Sequence, residues 1–145
     1  MHNILKKDFI NRHGLEEYKK YSNSFEGEGF KRWVTMLQNT ENYHIVLYVI
    51  DDEIAGFVCF LYMDNKLCLS EVQIKESFQG KGILKKLLRK TLEISDKDRY
   101  NKICATIDND NYKSQNVFKH IGMKNTQGKW YEITYDGFMK WINKY

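Results

Sequence analysis

The sequence contains no proline, no tract of low complexity and no Gly/Ser-rich stretch. Those absences exclude a proline-stiffened or flexible linker, so residues 1–145 read as one continuous domain. No period of repeat length is visible, which excludes a solenoid or propeller. No run approaches the ~20 apolar residues that cross a bilayer. The opening MHNILKKDFINRHG has neither an uninterrupted apolar stretch nor a secretory cleavage site, so a cytoplasmic location and no membrane partner are expected. Cysteine is scarce: Cys59, Cys68 and Cys104 form an odd set without a C-x-x-C pair, each inside an apolar run. Reduced, buried thiols are the expectation. His2, His13, His44 and His120 fall in no H-x-x-x-H or H-E-x-x-H spacing, and no metal site is assigned. Charge of one sign is also in short supply. The 23 Lys and Arg against 19 Asp and Glu leave +4, too mild to point to nucleic acid yet compatible with a polyanionic cofactor.

What is present is enough apolar material for one core: 42% hydrophobic residues, with aromatics at 14% of the chain. The first forty residues are helical in character, and two short helices are expected over HGLEEYKKYSN and FEGEGFKRWVTMLQNTEN, with SNSFEGEG as the loop between them. From Tyr43 the pattern changes to apolar runs broken by Asp51, Asp52 and Glu53 and by Asp64, Asn65 and Lys66, which reads as three strands joined by hairpin turns. In the third strand Leu67 and Leu69 keep one phase while Val72 and Ile74 keep the other. Strand side chains alternate strictly, so an extra residue near Ser70 and Glu71, a β-bulge, would put both pairs on one face; the alternative is a strand buried on both faces, where phase means little.

Ile83, Leu84, Leu87, Leu88, Leu92 and Ile94 form the apolar stripe of an amphipathic helix whose other face carries Lys85, Lys86, Arg89, Lys90 and Glu93. NKICATID reads as a strand, NDNYKSQNVFKHIG as a helix with Val117, Phe118 and Ile121 inward and Gly122 as its stop, and KWYEITY as a last strand. The tail DGFMKWINKY reads equally as a short helix or an extended arm.

Between the third strand and the amphipathic helix stands FQGKG. Gly80 and Gly82 let backbone approach a ligand, and the first amides of a helix have no intrahelical acceptor, an arrangement that suits phosphate. It is neither a Walker loop nor a dinucleotide fingerprint, since Lys85 occupies the place of the third glycine.

Two motifs in order carry a family resemblance. IKESFQGKGI, from Ile74 to Ile83, follows V-x-P-x-[FY]-[QR]-G-x-G-[ILV]; Asn111, Ser114, Val117, Phe118, Ile121, Gly122 and Met123 follow N-x-x-[AS]-x-x-[LV]-[YF]-x-x-[LI]-G-[FM]. With the order of helices and strands around them, nearly the whole chain resembles the GNAT superfamily of N-acetyltransferases. The resemblance implies an α/β (α+β) fold: a mixed, mostly antiparallel sheet, splayed between the family's fourth and fifth strands and flanked by about four helices. Those strands are here LCLSEVQI and NKICATID.

It further implies direct transfer of an acetyl group from acetyl-CoA to a small-molecule or peptide amine, with no acyl-enzyme and no metal. Val72, Gln73 and Ile74 would pair with the pantetheine arm like an added strand, with an amide there polarising the thioester carbonyl. Amides from Gln79 through Gly80, Lys81, Gly82 and Ile83 to Leu84 would hold the pyrophosphate, and Asn111, Ser114 and Phe118 would face the arm from the other side. The family's turn proline is Glu76, its frequent tyrosine acid is Phe118, and a base glutamate of some members is Thr106. Glu71, beside the expected bulge, is then the candidate base. A non-catalytic acyl-CoA-binding sensor on the same fold is the alternative, and the protein is expected to be a monomer or homodimer. Glu26 and Glu28 could attract a cationic acceptor, whose identity stays open among peptide α-amine, polyamine, amino acid and aminoglycoside.

Overall fold

The computed structural model describes residues 2–23 and 43–144. The chain begins with α1 (His2–His13) and α2 (Leu15–Asn23), separated at Gly14. The helix expected over HGLEEYKKYSN is α2, whereas α1 was not foreseen; the second expected helix, with Glu26 and Glu28, lies outside the described residues. Three strands follow, β1 (His44–Ile50), β2 (Glu53–Met63) and β3 (Lys66–Ile74). Asp51 and Asp52 join the first two at φ 49 and 63, and Asp64 and Asn65 join the next two at φ 50 and 63. Two consecutive positive φ values match the right-handed twist of the strands, and Asp and Asn tolerate them better than other side chains.

A short 3-10 turn (Glu76–Phe78) leads to α3 (Ile83–Ile94), which returns the chain to β4 (Lys102–Thr106), parallel to β3. Then come α4 (Tyr112–Ile121), β5 (Lys124–Gln127), β6 (Trp130–Thr134) and α5 (Tyr135–Ile142). The tail is therefore a helix rather than an arm, started by Thr134, whose hydroxyl accepts from the Gly137 amide at 3.1 Å. The described residues thus hold five α-helices against the four expected, around a sheet of order β1-β2-β3-β4-β6-β5 in which only the β3–β4 pair is parallel.

The main core lies between one sheet face and α3, α4 and α5, while α1 and α2 cover Phe57 and Cys59 on the other face. The expected bulge is present. β2 and β3 slip register between Cys59 and Phe60, so that Phe60 opposes Leu69 and Cys59 opposes Glu71, leaving Ser70 as the extra residue. Its hydroxyl donates to the Cys59 carbonyl at 3.1 Å. Leu67, Leu69, Val72 and Ile74 all reach the main core as a result. Turning even one of them to the opposite face would forfeit ~1.5–3 kcal/mol, more than the ~1 kcal/mol of an interrupted ladder bond.

The stripe of α3 differs in detail from its periodicity: Ile83, Leu87, Leu88 and Leu92 are buried together with Thr91, whose hydroxyl bonds the Leu87 carbonyl at 2.8 Å, while Ile94 is 52% exposed. Its basic face is partly engaged. Lys85 lies 5.0 Å from the Trp141 ring centre, Lys86 5.9 Å from that of Tyr48, and Arg89 donates to the Ile142 carbonyl at 3.0 Å.

The cysteines require a correction. Cys68 and Cys104 are opposite partners in the parallel β3–β4 ladder, with Cα atoms 4.7 Å apart, and form a disulfide; only Cys59 is a free, buried thiol. The expectation of three thiols failed because a separation of 36 residues says nothing about strand register.

Candidate active site

The β3–β4 ladder begins at Lys66–Lys102 and ends at Leu69–Ala105. Beyond it β3 runs on to Ile74, paired to β2 through its other edge, while the chain leaving β4 turns away toward α4. The bulge at Ser70 helps the two strands part, since an extra residue increases local bend and twist. A cleft of about 630 Å³ fills the gap.

Most of the expected cofactor residues converge there. Val72, Gln73 and Ile74 line the β3 side; Gln79, Gly80, Gly82, Ile83 and Leu84 close one end; Asn111, Ser114 and Phe118 line the wall from α4. Lys81 and Glu71 are not on the wall. Lys81 turns back so that its ammonium is 5.5 Å from the Phe78 ring centre.

Gly80 and Gly82 have φ of 77 and 76, and nothing lies within 4 Å of where a Cβ would stand on either. The first helical bond after them is from the Lys86 amide to the Gly82 carbonyl at 3.3 Å, so the preceding amides of α3 lead into the turn. An open backbone cradle at a helix start, together with a strand edge past Leu69 without a β4 partner, fits a diphosphate and an extended amide-bearing arm. One expected donor is otherwise used: the Gln79 amide gives its hydrogen to the Glu76 carbonyl at 3.2 Å. Gln79 acts through its side chain instead, donating to the Ile74 carbonyl at 3.0 Å and accepting from Lys113 at 2.7 Å. Asn111 likewise spends its side-chain oxygen on the Ser114 amide, at 3.3 Å, as the N-cap of α4.

Glu71 stands behind the cleft wall, on the face covered by α1. Gln73 Nε2 donates to Glu71 Oε2 at 3.1 Å and to Asp8 Oδ2 at 3.3 Å. Burial pushes the Glu71 carboxyl up to about 7; Asp8 and Asp108 push the same way, against the Gln73 bond and the charge of Arg12. Cys59, its cross-strand partner, is pushed up to about 12 by burial and by Glu71. Asp108 is lowered, first by its bond to Arg12. Burial works against the Arg12 charge, but the Asp108 bond and the neighbouring carboxylates outweigh it and raise its pKa.

Sequence reasoning missed the contribution of α1, from which Asp8, Asn11 and Arg12 reach the cleft, and that of Lys113 and Val117 on α4. A signal existed in the i, i+4 spacing of Asp8 and Arg12, which places both on one helix face. Among the described residues no group of His, Cys, Asp and Glu has the arrangement of a metal site, and no helix there is long and apolar enough to cross a membrane.

The sequence pattern of the acetyltransferase (GNAT) family matches residues 1–123. No curated protein matches by sequence. Among solved structures, the chain is similar to the PaiA N-acetyltransferase of Thermoplasma acidophilum in complex with coenzyme A, with 18% identity, TM-score 0.68, and coverage of 92% of this chain and 87% of that one. It is similar to an acetyltransferase of Thermus thermophilus at 17% identity and TM-score 0.66, covering 92% and 90%. A GNAT family acetyltransferase of Elizabethkingia anophelis with acetyl-CoA bound matches at 19% identity and TM-score 0.55, covering 65% and 62%. At such identities the likeness speaks for the fold.

Proposed function

The chain belongs to the GNAT acetyltransferase family, and from that premise we propose that it is an N-acetyltransferase using acetyl-CoA and a primary amine acceptor by direct attack. The observation that carries this reading is the fork itself: a strand edge at Val72–Ile74 with no β4 partner ends in a side-chain-free cradle at Gly80 and Gly82. Acetyl-CoA supplies the activated acetyl thioester and the diphosphate that anchors it. The amides of the turn and of the start of α3 bind the diphosphate, and the edge of β3 aligns the extended arm and polarises the thioester carbonyl. Phe118 packs against the arm from α4.

Glu71 removes the proton of the attacking ammonium group. A carboxyl near pH 7 is matched to that task at neutral pH, where it is partly ionised without being a feeble base. Its place behind Gln73 means that the proton travels through an intervening water. The thiolate, a fairly stable anion, departs without a tyrosine.

The test follows release of free CoA thiol across a panel of primary amines, for the wild type and Glu71→Gln. Turnover with at least one amine, reduced ~100-fold in kcat/KM by the substitution, is the expected result. Tight acetyl-CoA binding with no acceptor-dependent release would instead favour an acyl-CoA sensor, a role that Phe118 and Thr106 in place of acid and base also permit.

A further inference from the structure

Glu71 is linked through Gln73 to a helix more than sixty residues away in sequence. Gln73 Nε2 has two hydrogens and gives one to Glu71 and the other to Asp8 of α1. One helical turn on, Arg12 is 3.7 Å from Asp8, 2.5 Å from Asp108 and 3.5 Å from Asp110. Asp108 and Asp110 belong to the segment that leaves β4, whereas Asp8 is bonded to β3 through Gln73. The guanidinium therefore spans the two diverging strands at the open end of the fork, which a single ammonium could not do in the same geometry. Lys129 adds a second cation on Asp108 at 3.2 Å.

Building on the reading of Glu71 as the base, we infer that Arg12 and Asp8 are positioning residues: Arg12 braces the arms of the fork, and Asp8, through Gln73, orients the Glu71 carboxylate. The charged and titratable groups that face Glu71 are Asp8 and Arg12 from α1, Asp108 from beyond β4, and the Cys59 thiol from β2; Gln73 is the neutral donor on β3. Arg12 favours the ionised carboxylate, while Asp8 and Asp108 oppose it.

The signs make a test that a merely structural role would not satisfy. Removing the Arg12 charge must raise the Glu71 titration, and removing the Asp8 charge must lower it. The measurement is the carboxyl carbon-13 titration of Glu71 in the free protein, assigned with Glu71→Gln, in the wild type, Arg12→Gln, Asp8→Asn and Arg12→Lys. Opposite displacements of about 0.5 to 1 pH unit are expected for the first two, with Arg12→Lys in between. The acid limb of kcat/KM should move with them. Unmoved titrations in variants that keep the wild-type circular dichroism would overturn the inference, as would displacements in the same direction. Arg12→Lys keeps the charge, so it remains informative where Arg12→Gln fails to fold. Because the titration needs no turnover, it separates the two readings: wild-type kinetics in Glu71→Gln would sink Glu71 as base while leaving the brace to the titration.

Discussion

Leu69 and Ala105 are the last partners that β3 and β4 share. One pair earlier, Cys68 and Cys104 tie the same strands covalently, and one residue later Ser70 is the bulge that bends β3 away. The closed and open parts of the fork are thus separated by a single step of the ladder. Everything assigned to the cofactor depends on that step, because a ladder continued to Ile74 would leave no strand edge for a ligand to pair with.

Cofactor affinity should depend on bulk at the glycine turn more than on charge there. Gly82 is the N-cap of α3 at φ 76, a conformation that a β-branched side chain resists. Gly82→Val would also place a side chain in the open cradle. Calorimetry with acetyl-CoA should show binding weakened by at least ~10-fold for Gly82→Val and only ~2-fold for Lys81→Ala, an exposed charge being worth roughly 0–1 kcal/mol. Wild-type affinity in a folded Gly82→Val protein would contradict phosphate binding in this turn.

Glu71 should reduce the stability of the fold at alkaline pH. Its folded pKa of about 7 lies above the ordinary value of 4.5, so the folded state binds more protons between those limits and stability falls as pH rises through that window. Glu71→Gln removes the charged form, and its amide oxygen can still accept from Gln73. Chemical denaturation should find the variant more stable than the wild type at pH 8, by on the order of 1–3 kcal/mol, and nearly equal at pH 4. A variant less stable at pH 8 would mean that the carboxylate is well solvated.

The glycine turn, the bulge and α4 were legible in the sequence because each rests on local rules: strand alternation, helix periodicity, and glycine at positive φ. Ser70 shows this well, since a phase change between Leu69 and Val72 points to an extra residue wherever one strand face is the buried one. Asp8 and Arg12 were not legible as site residues, because their partners Gln73, Asp108 and Asp110 are brought to α1 only by tertiary packing. The Cys68–Cys104 pair was hidden for the same reason. Gln79 and Asn111 both line the cleft, yet which of their atoms remain for a ligand depends on neighbours such as Lys113 and the Ser114 amide.

The cross-strand disulfide should be recoverable in solution. Peptide mapping without reduction should find Cys68 linked to Cys104, with Cys59 alkylated only after unfolding, as its burial requires. A bridge closing a loop of this length stabilises by about 2–4 kcal/mol, so reduction should lower Tm. Three free thiols in protein purified under oxidising conditions would refute the pairing.

Phe118 should contribute packing and no proton. Its ring is 7% exposed, joins the main core and faces the cleft. Phe118→Ala should therefore cost ~3–5 kcal/mol of stability and weaken acetyl-CoA binding, while the acid limb of kcat/KM keeps its wild-type position. Phe118→Tyr is the sharper probe. A phenol on that wall can donate to the departing sulfur only while protonated, so the variant should gain a basic limb near its own pKa, about 10, that the wild type lacks. If the wild type already shows a basic limb beyond the titration of its amine acceptor, and Phe118→Tyr leaves it unchanged, a different residue protonates the thiolate and unaided departure is wrong.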